Sequence, residues 1–151
     1  TTGAQVIAVD VKPEALELAR SVGAHHTVPS DEHAADAIRE HTCGRGADVV
    51  IDFVGATATM NLARTVARTM ADVTIVGIGG GEVPLGFFSQ PYEVSMATTY
   101  WGSRPELVEL LALAARGQVG TESTIYPLDQ GVQAYRDLRA GTVTGRAVVV
   151  P

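Results

Sequence analysis

The sequence predicts an α/β fold built on a doubly wound parallel sheet, and three observations carry the prediction. Apolar runs rich in valine and isoleucine, at Gln5–Asp10, Asp48–Gly55 and Val73–Ile78, have the length and β-branched content of strands covered on both faces. Between them lie segments of about ten to fourteen residues whose apolar positions recur at helical spacing. No two-residue hairpin signal joins one run to the next. Strands alternating with helices in this way call for parallel β-α-β units with right-handed crossovers.

The first run, Gln5-Val6-Ile7-Ala8-Val9-Asp10, ends in a lone carboxylate. Pro13 then opens a helix, since proline is tolerated in a first turn, and Ala15, Leu16, Leu18, Ala19 and Val22 continue it to Gly23. Ala24–Val28 is a short strand before Pro29. Ser30 or Asp31 caps the next helix, whose apolar face is Ala34, Ala35, Ala37 and Ile38 and whose end falls near Gly44. Asp48–Gly55 is the second central strand. A helix from about Thr57 carries Met60, Leu62, Ala63, Val66 and Ala67. Val73–Ile78 is the third central strand and runs into Gly79-Gly80-Gly81. The stretch from Glu82 to Ser95, broken by Pro84, Gly86 and Pro91, is expected to be a loop anchored by Phe87, Phe88 and Tyr92. Met96–Gly102 is a further strand, and Ser103 caps a helix through Leu107, Val108, Leu110, Leu111 and Ala114 to Gly117. A strand near Ser123–Tyr126, a helix Asp129–Ala140 and a strand Arg146–Val150 form a separate tail. The expected division is therefore 1–120 and 121–151.

The carboxyl ends of strands in a dinucleotide-binding sheet face the ligand, and an acid there accepts hydrogen bonds from ribose hydroxyls. Asp10 occupies such an end; its other reading is a solvated acid capping the helix that starts at Pro13. The Gly-rich phosphate loop belongs about 20 residues before this acid. Only nine residues precede Asp10. The expected fold is thus a Rossmann-type sheet lacking its first strand and its Gly-rich loop, with Thr1-Thr2-Gly3 as the exit from the helix after that loop. In the strand order 3-2-1-4-5-6 the absent strand lies between the one ending in Asp10 and the one ending in Gly55. Were Thr1 the true start, direct pairing of those two strands, or a strand from a second copy, is expected to satisfy their edges. Phe53-Val54-Gly55 and Val76-Gly77-Ile78 share the ligand-facing end. Gly55 and Gly77 either admit a ring or a pyrophosphate to the backbone or simply permit tight turns. No helix start follows Gly79-Gly80-Gly81, which reads as a flexible turn.

Seventeen acids against eleven lysines and arginines give a net charge of −6. With no block of like charge, this composition argues against nucleic acid and anionic membranes as partners. No apolar run approaches about 18 residues, and no charged and apolar leader opens the chain. The single cysteine, Cys43, builds no disulfide framework and fits a reducing cytoplasm. His25 and His26 are neighbours on a strand and point to opposite faces; His33 and His41 stand two helical turns apart. Neither pair has a zinc spacing, and no G-x-S-x-G elbow occurs. Neither a catalytic nor a metal-ligating residue is expected in this chain.

The phrases VIAVDVKPEALELARSVGA, GADVVIDFVGA, TIVGIGG, TTYWGSRPELVELLALAARG and YPLDQGVQAYRDLRAGTVTGRAVVVP follow one another over nearly the whole chain. In that order they resemble the coenzyme-binding part and carboxyl-terminal tail of medium-chain zinc alcohol dehydrogenases, the bacterial NAD-dependent secondary alcohol dehydrogenases in particular. The resemblance implies NAD as cofactor, with Asp10 holding the adenosine ribose and its charge disfavouring the extra phosphate of NADP. It implies Val54 and Gly55 along the cofactor, Val76, Gly77 and Ile78 at the nicotinamide, and backbone at Thr98, Thr99 and Tyr100 for the carboxamide. It places Arg146 on the pyrophosphate, which a fork of donors suits. The basic residue that often follows the acid by five places is Ala15 here. Zinc is implied for the parent only, on ligands from an amino-terminal domain outside this chain, so that the 151 residues alone are expected to be inactive. A small alcohol or ketone as substrate and a homo-oligomer through the edge strand complete the expectation. Rival readings are a zinc-free quinone or enoyl reductase of the same superfamily, a methyltransferase, and a non-catalytic dinucleotide-fold module.

Overall fold

The computed structural model describes residues 3–151; Thr1 and Thr2, part of the expected helix exit, lie outside the described residues. The chain forms two compact units, 1–101 and 102–151.

The first unit alternates strand and helix: β1 (Ile7–Asp10), α1 (Pro13–Ser21), β2 (His26–Pro29), α2 (Ala34–His41), β3 (Ala47–Asp52), α3 (Thr57–Val66), β4 (Ala67–Ile75) and β5 (Ser95–Thr98). Every strand pair is parallel, as the alternation requires. Pro13 stands in the first turn of α1, where its missing N–H costs nothing. Asp31 Oδ1 accepts the His33 N–H and shapes the entry to α2.

The sheet is split. β1 pairs with β2, and β3, β4 and β5 form a second sheet in that order. Direct pairing of β1 with β3, one of the two arrangements expected were Thr1 the true start, is not found; helix packing joins the two sheets. Val28, Ala34, Ile38 and Val66 form one core with Ile7, Val50 and Leu62 packed on it, and the Arg39 guanidinium of α2 donates to the Thr65 carbonyl of α3 at 2.9 Å. β1 and β3 are also not covered on both faces as expected. Val9 is exposed in β1, and in β3 Val49 and Ile51, which share one face, are exposed. A second core, Ala63, Ala67, Ala71, Val73 and Ile75 with Met60, Val94 and Met96, seats α3 on β4 and β5.

Strand boundaries differ from expectation at both ends of the sheet. β4 begins directly after α3, and its register jumps from Ala47 opposite Ala67 to Val49 opposite Asp72. Met70 sits in the bulge at φ +63° with its N–H on the Tyr92 carbonyl. β3 stops at Asp52, β4 at Ile75 and β5 at Thr98. The loop from Glu82 is not anchored by its aromatics: Phe87, Phe88 and Tyr92 are exposed and meet one another edge-on. Polar groups hold it instead, with Gly86 N–H donating to Ser89 Oγ and Gln90 Nε2 donating to the Pro84 carbonyl.

The second unit holds α4 (Arg104–Ala115), β6 (Ser123–Pro127), a short 3-10 turn (Leu128–Gln130), α5 (Gly131–Ala140) and β7 (Arg146–Val150). Ser103 caps α4 as expected: its hydroxyl accepts the Glu106 N–H, and the Glu106 carboxylate accepts the Ser103 N–H at 2.6 Å. β6 and β7 pair in parallel around α5, which buries Ala134, so the tail is the strand-helix-strand unit its periodicity predicts. The Tyr126 hydroxyl donates to Asp137 Oδ2, and Gln133 donates to Oδ1 of the same carboxylate.

Candidate functional site: the carboxyl ends of the parallel strands

Register brings three strand ends level. Asp52 is opposite Ile75, and Ile75 is opposite Thr98, so the loops that follow β3, β4 and β5 leave the sheet side by side. Asp52 roots two of them. Its side chain is only 6% exposed, and a carboxylate so enclosed needs donors. Oδ1 accepts the N–H groups of Val54 and Gly55 at 2.9 and 3.0 Å, and Oδ2 accepts the Thr59 hydroxyl at 2.8 Å. Its carbonyl accepts both Val76 and Gly77 N–H groups, which draws the chain out of the β4 ladder before Ile78.

From there the two loops are stitched backbone to backbone. Gly79 N–H donates to the Val54 carbonyl at 2.9 Å and Gly81 N–H to the Gly55 carbonyl at 2.8 Å. Gly55 is left-handed, at φ +67°, and a Cβ there lies 2.2 Å from the Gly77 carbonyl oxygen. A Cβ on Gly77 lies 2.1 Å from the Val54 carbonyl carbon. Close approach of one loop to the other therefore requires glycine at both positions. Gly79-Gly80-Gly81, expected as a flexible turn, is the other half of the stitch.

What the loops present outward is apolar side chain and free backbone. Val54, Tyr100 and Trp101 are exposed, and Ile78 is 95% exposed. Thr99 N–H donates to the Ile75 carbonyl at 3.0 Å, whereas the N–H groups of Ile78 and Tyr100 have no protein partner among the described residues. Asp10 ends β1 with its carbonyl on the Ser30 N–H. Its Oδ1 accepts the Lys12 N–H at 2.8 Å, and Oδ2 has no partner among the described residues. One oxygen thus bonds the backbone just before α1, whose N-cap is Lys12, and the other is open. Arg146, the first residue of β7, belongs to the second unit; it is exposed, and its guanidinium has no partner among the described residues.

The Arg68 guanidinium bonded to Asp48 holds that carboxyl below the usual carboxylate range, and the Ser103 N–H does the same for Glu106. Desolvation, then the Asp137 carboxylate, pushes the Tyr126 phenol up. Among the described residues no three His, Cys, Asp or Glu side chains cluster as metal ligands. His26 stacks on His41 with ring centroids 3.9 Å apart, a face-to-face arrangement that turns their in-plane lone pairs away from a shared ion.

Sequence reasoning missed Asp52 and Thr59. The signal was present, an acid inside the apolar run before Val54-Gly55, because a charge so placed needs donors close by.

The family described as zinc-binding dehydrogenase matches residues 1–116 of this chain. The chain belongs to that family. Among solved structures, this zinc-binding dehydrogenase chain is similar to the alcohol dehydrogenase of the hyperthermophilic archaeon Aeropyrum pernix, with 39% identity and a TM-score of 0.87 over 99% of this chain and 44% of that one. It is 31% identical over 150 residues to the NAD-dependent alcohol dehydrogenase of Sulfolobus acidocaldarius, covering 97% of this chain and 43% of the relative. It is 33% identical over 149 residues to an alcohol dehydrogenase of Geobacillus stearothermophilus, covering 97% of this chain and 44% of the relative. The chain spans less than half the length of each. The resemblance read from its phrases and the Rossmann-type α/β class both stand. No helix among the described residues is long and apolar enough to cross a membrane.

Proposed function

We propose that this chain is the NAD-binding part of a zinc-dependent alcohol dehydrogenase, in which residues 1–120 hold the cofactor and 121–151 pack with the remainder of a longer parent. The supporting observation is the level row of strand ends at Asp52, Ile75 and Thr98, with two free N–H groups at Ile78 and Tyr100 and an open oxygen on Asp10. Asp10 Oδ2 accepts from the adenosine ribose, and its negative charge disfavours a 2′-phosphate. The free N–H groups of Ile78 and Tyr100 suit the acceptor oxygen of a carboxamide, with Thr98 and Thr99 backing them. Val54, Gly55, Val76 and Gly77 form an apolar and backbone wall that excludes water from a nicotinamide ring. Arg146 supplies a planar fork of donors for the pyrophosphate. When bound, the nicotinamide gives or takes the hydride.

Zinc does not fit the residues of this chain, since no cluster of ligands exists among those described and Cys43 stands exposed. The metal and the small alcohol or ketone belong with the rest of the parent. That parent is a cytoplasmic homo-oligomer in this reading, associating through β5, which pairs on one side only.

Steady-state kinetics on the longer protein test the proposal. Removing a charged acceptor of two hydrogen bonds costs about 1.5–3 kcal/mol, so Asp10→Ala is expected to raise the KM for NAD about tenfold to a hundredfold while kcat changes far less. An unchanged KM removes Asp10 from the ribose site. The 151 residues alone, given NAD, zinc and alcohol, are expected to show no turnover; activity above background refutes the division of labour.

A further inference from the structure

We propose that Asp52 is the positioning residue for the nicotinamide end of the cofactor, a role that rests on the reading of the strand ends as an NAD site. Asp52 is the one residue on which both loops converge at their roots. Its carboxylate holds Val54 and Gly55, and its carbonyl holds Val76 and Gly77. Thr59, in the first turn of α3, fixes the carboxylate by bonding Oδ2 while accepting the Ala56 N–H at 3.1 Å. The exits of β3 and β4 and the start of α3 therefore meet at one buried charge. The Gly79 and Gly81 N–H groups bond to carbonyls of the loop that this carboxylate shapes, so the spacing between Val54 and Ile78 depends on it.

The hydrogen-bond inventory separates shape from charge. Asparagine at this position keeps Oδ1 for both N–H groups, and its amide nitrogen donates to Thr59 Oγ1. The Thr59 proton then turns to the Ala56 carbonyl, already 3.0 Å away. The Val54, Gly55 and Thr59 donors that the Asp52 carboxylate serves are all still paired, and one amide N–H of the asparagine is added without a partner. Alanine instead leaves the Val54 and Gly55 N–H groups without an acceptor in an enclosed site, and the loop shifts to find one. Thr59→Val removes the support of Oδ2 and the acceptor of the Ala56 N–H, and leaves the two loop bonds to Oδ1 in place.

The test uses Asp52→Ala, Asp52→Asn and Thr59→Val. In the 151-residue chain, amide hydrogen exchange at Val54, Gly55, Gly79 and Gly81 is expected to quicken about tenfold or more in Asp52→Ala, by less in Thr59→Val, and little in Asp52→Asn. In the longer protein, the KM for NAD is expected to rise about tenfold in Asp52→Ala, with a smaller fall in kcat, and to recover to within about threefold of the native value in Asp52→Asn. Exchange unaltered in Asp52→Ala, or Asp52→Asn behaving like Asp52→Ala, overturns the positioning role. Quickened exchange with an unmoved KM overturns the NAD reading beneath it. Should Asp52→Ala fail to fold, Thr59→Val and Asp52→Asn carry both comparisons, and identical exchange in those two overturns the role.

Discussion

Gly77→Ala tests whether the stitched loops are a fixed structure. The added Cβ falls 2.1 Å from the Val54 carbonyl carbon, 2.4 Å from its oxygen and 2.5 Å from the Phe53 carbonyl carbon. All three are backbone atoms, so no side chain can swing aside. Restoring ordinary contact requires the loops to part by more than about 1 Å, a forced repacking that typically costs about 1–3 kcal/mol. Parting also strains the Gly79 bond to Val54 and the Gly81 bond to Gly55, each contributing about 0.5–1.5 kcal/mol. The expected loss is about 2–5 kcal/mol, a large share of the total stability of a small domain. Gly80→Ala is the contrast: φ is +72° but nothing lies within 4 Å of its Cβ, so only the left-handed penalty of about 1–2 kcal/mol applies. Urea unfolding of the two variants beside the native chain measures both. A Gly77→Ala loss no greater than that of Gly80→Ala, with native exchange at the Gly79 amide, refutes the close approach.

Three further outcomes follow from the second unit. Ser103→Ala removes the side-chain cap of α4 and is expected to cost about 1 kcal/mol, read as faster amide exchange in the first turn of that helix. The Glu106 carboxyl is held below its ordinary range by the Ser103 N–H; its contribution is present above the unfolded-state pKa and fades as pH falls through the folded one. Protection factors in that turn, exchange rates divided into the intrinsic rate at each pH, should therefore fall on acidification in the native chain, and Glu106→Gln should abolish that fall. Tyr126 has the opposite sign: desolvation and Asp137 raise its pKa, so its stabilising effect holds below the unfolded value and is lost as pH rises. Alkaline unfolding monitored by circular dichroism should lose that component in Tyr126→Phe, and an identical profile would remove the coupling.

By itself the sequence determined the parallel α/β class, the order of its elements, the Ser103 cap, the strand-helix-strand tail and the place of Asp10 at a strand tip. These are local: apolar period, a proline in a first turn and a hydroxyl before a helix each act within a few residues. Tertiary structure decided the rest. The α2–α3 contact through Ile38, Leu62 and Val66 joins residues far apart in the chain, and no strand pattern reports it. Gly77 read either as a turn glycine or as one that admits a ligand to the backbone, because the backbone that forbids a side chain there, at Phe53 and Val54, lies on another loop. Phe87, Phe88 and Tyr92 looked like anchors by their size, yet the loop is held by Ser89 and Gln90 on nearby backbone. Asp52 read as an interior residue of a strand from Asp48 to Gly55, and only the convergence of Val54, Gly55, Thr59, Val76 and Gly77 made it a buried root. Backbone donors in loops find their acceptors across the chain, and a buried charge is set by the donors folding brings to it.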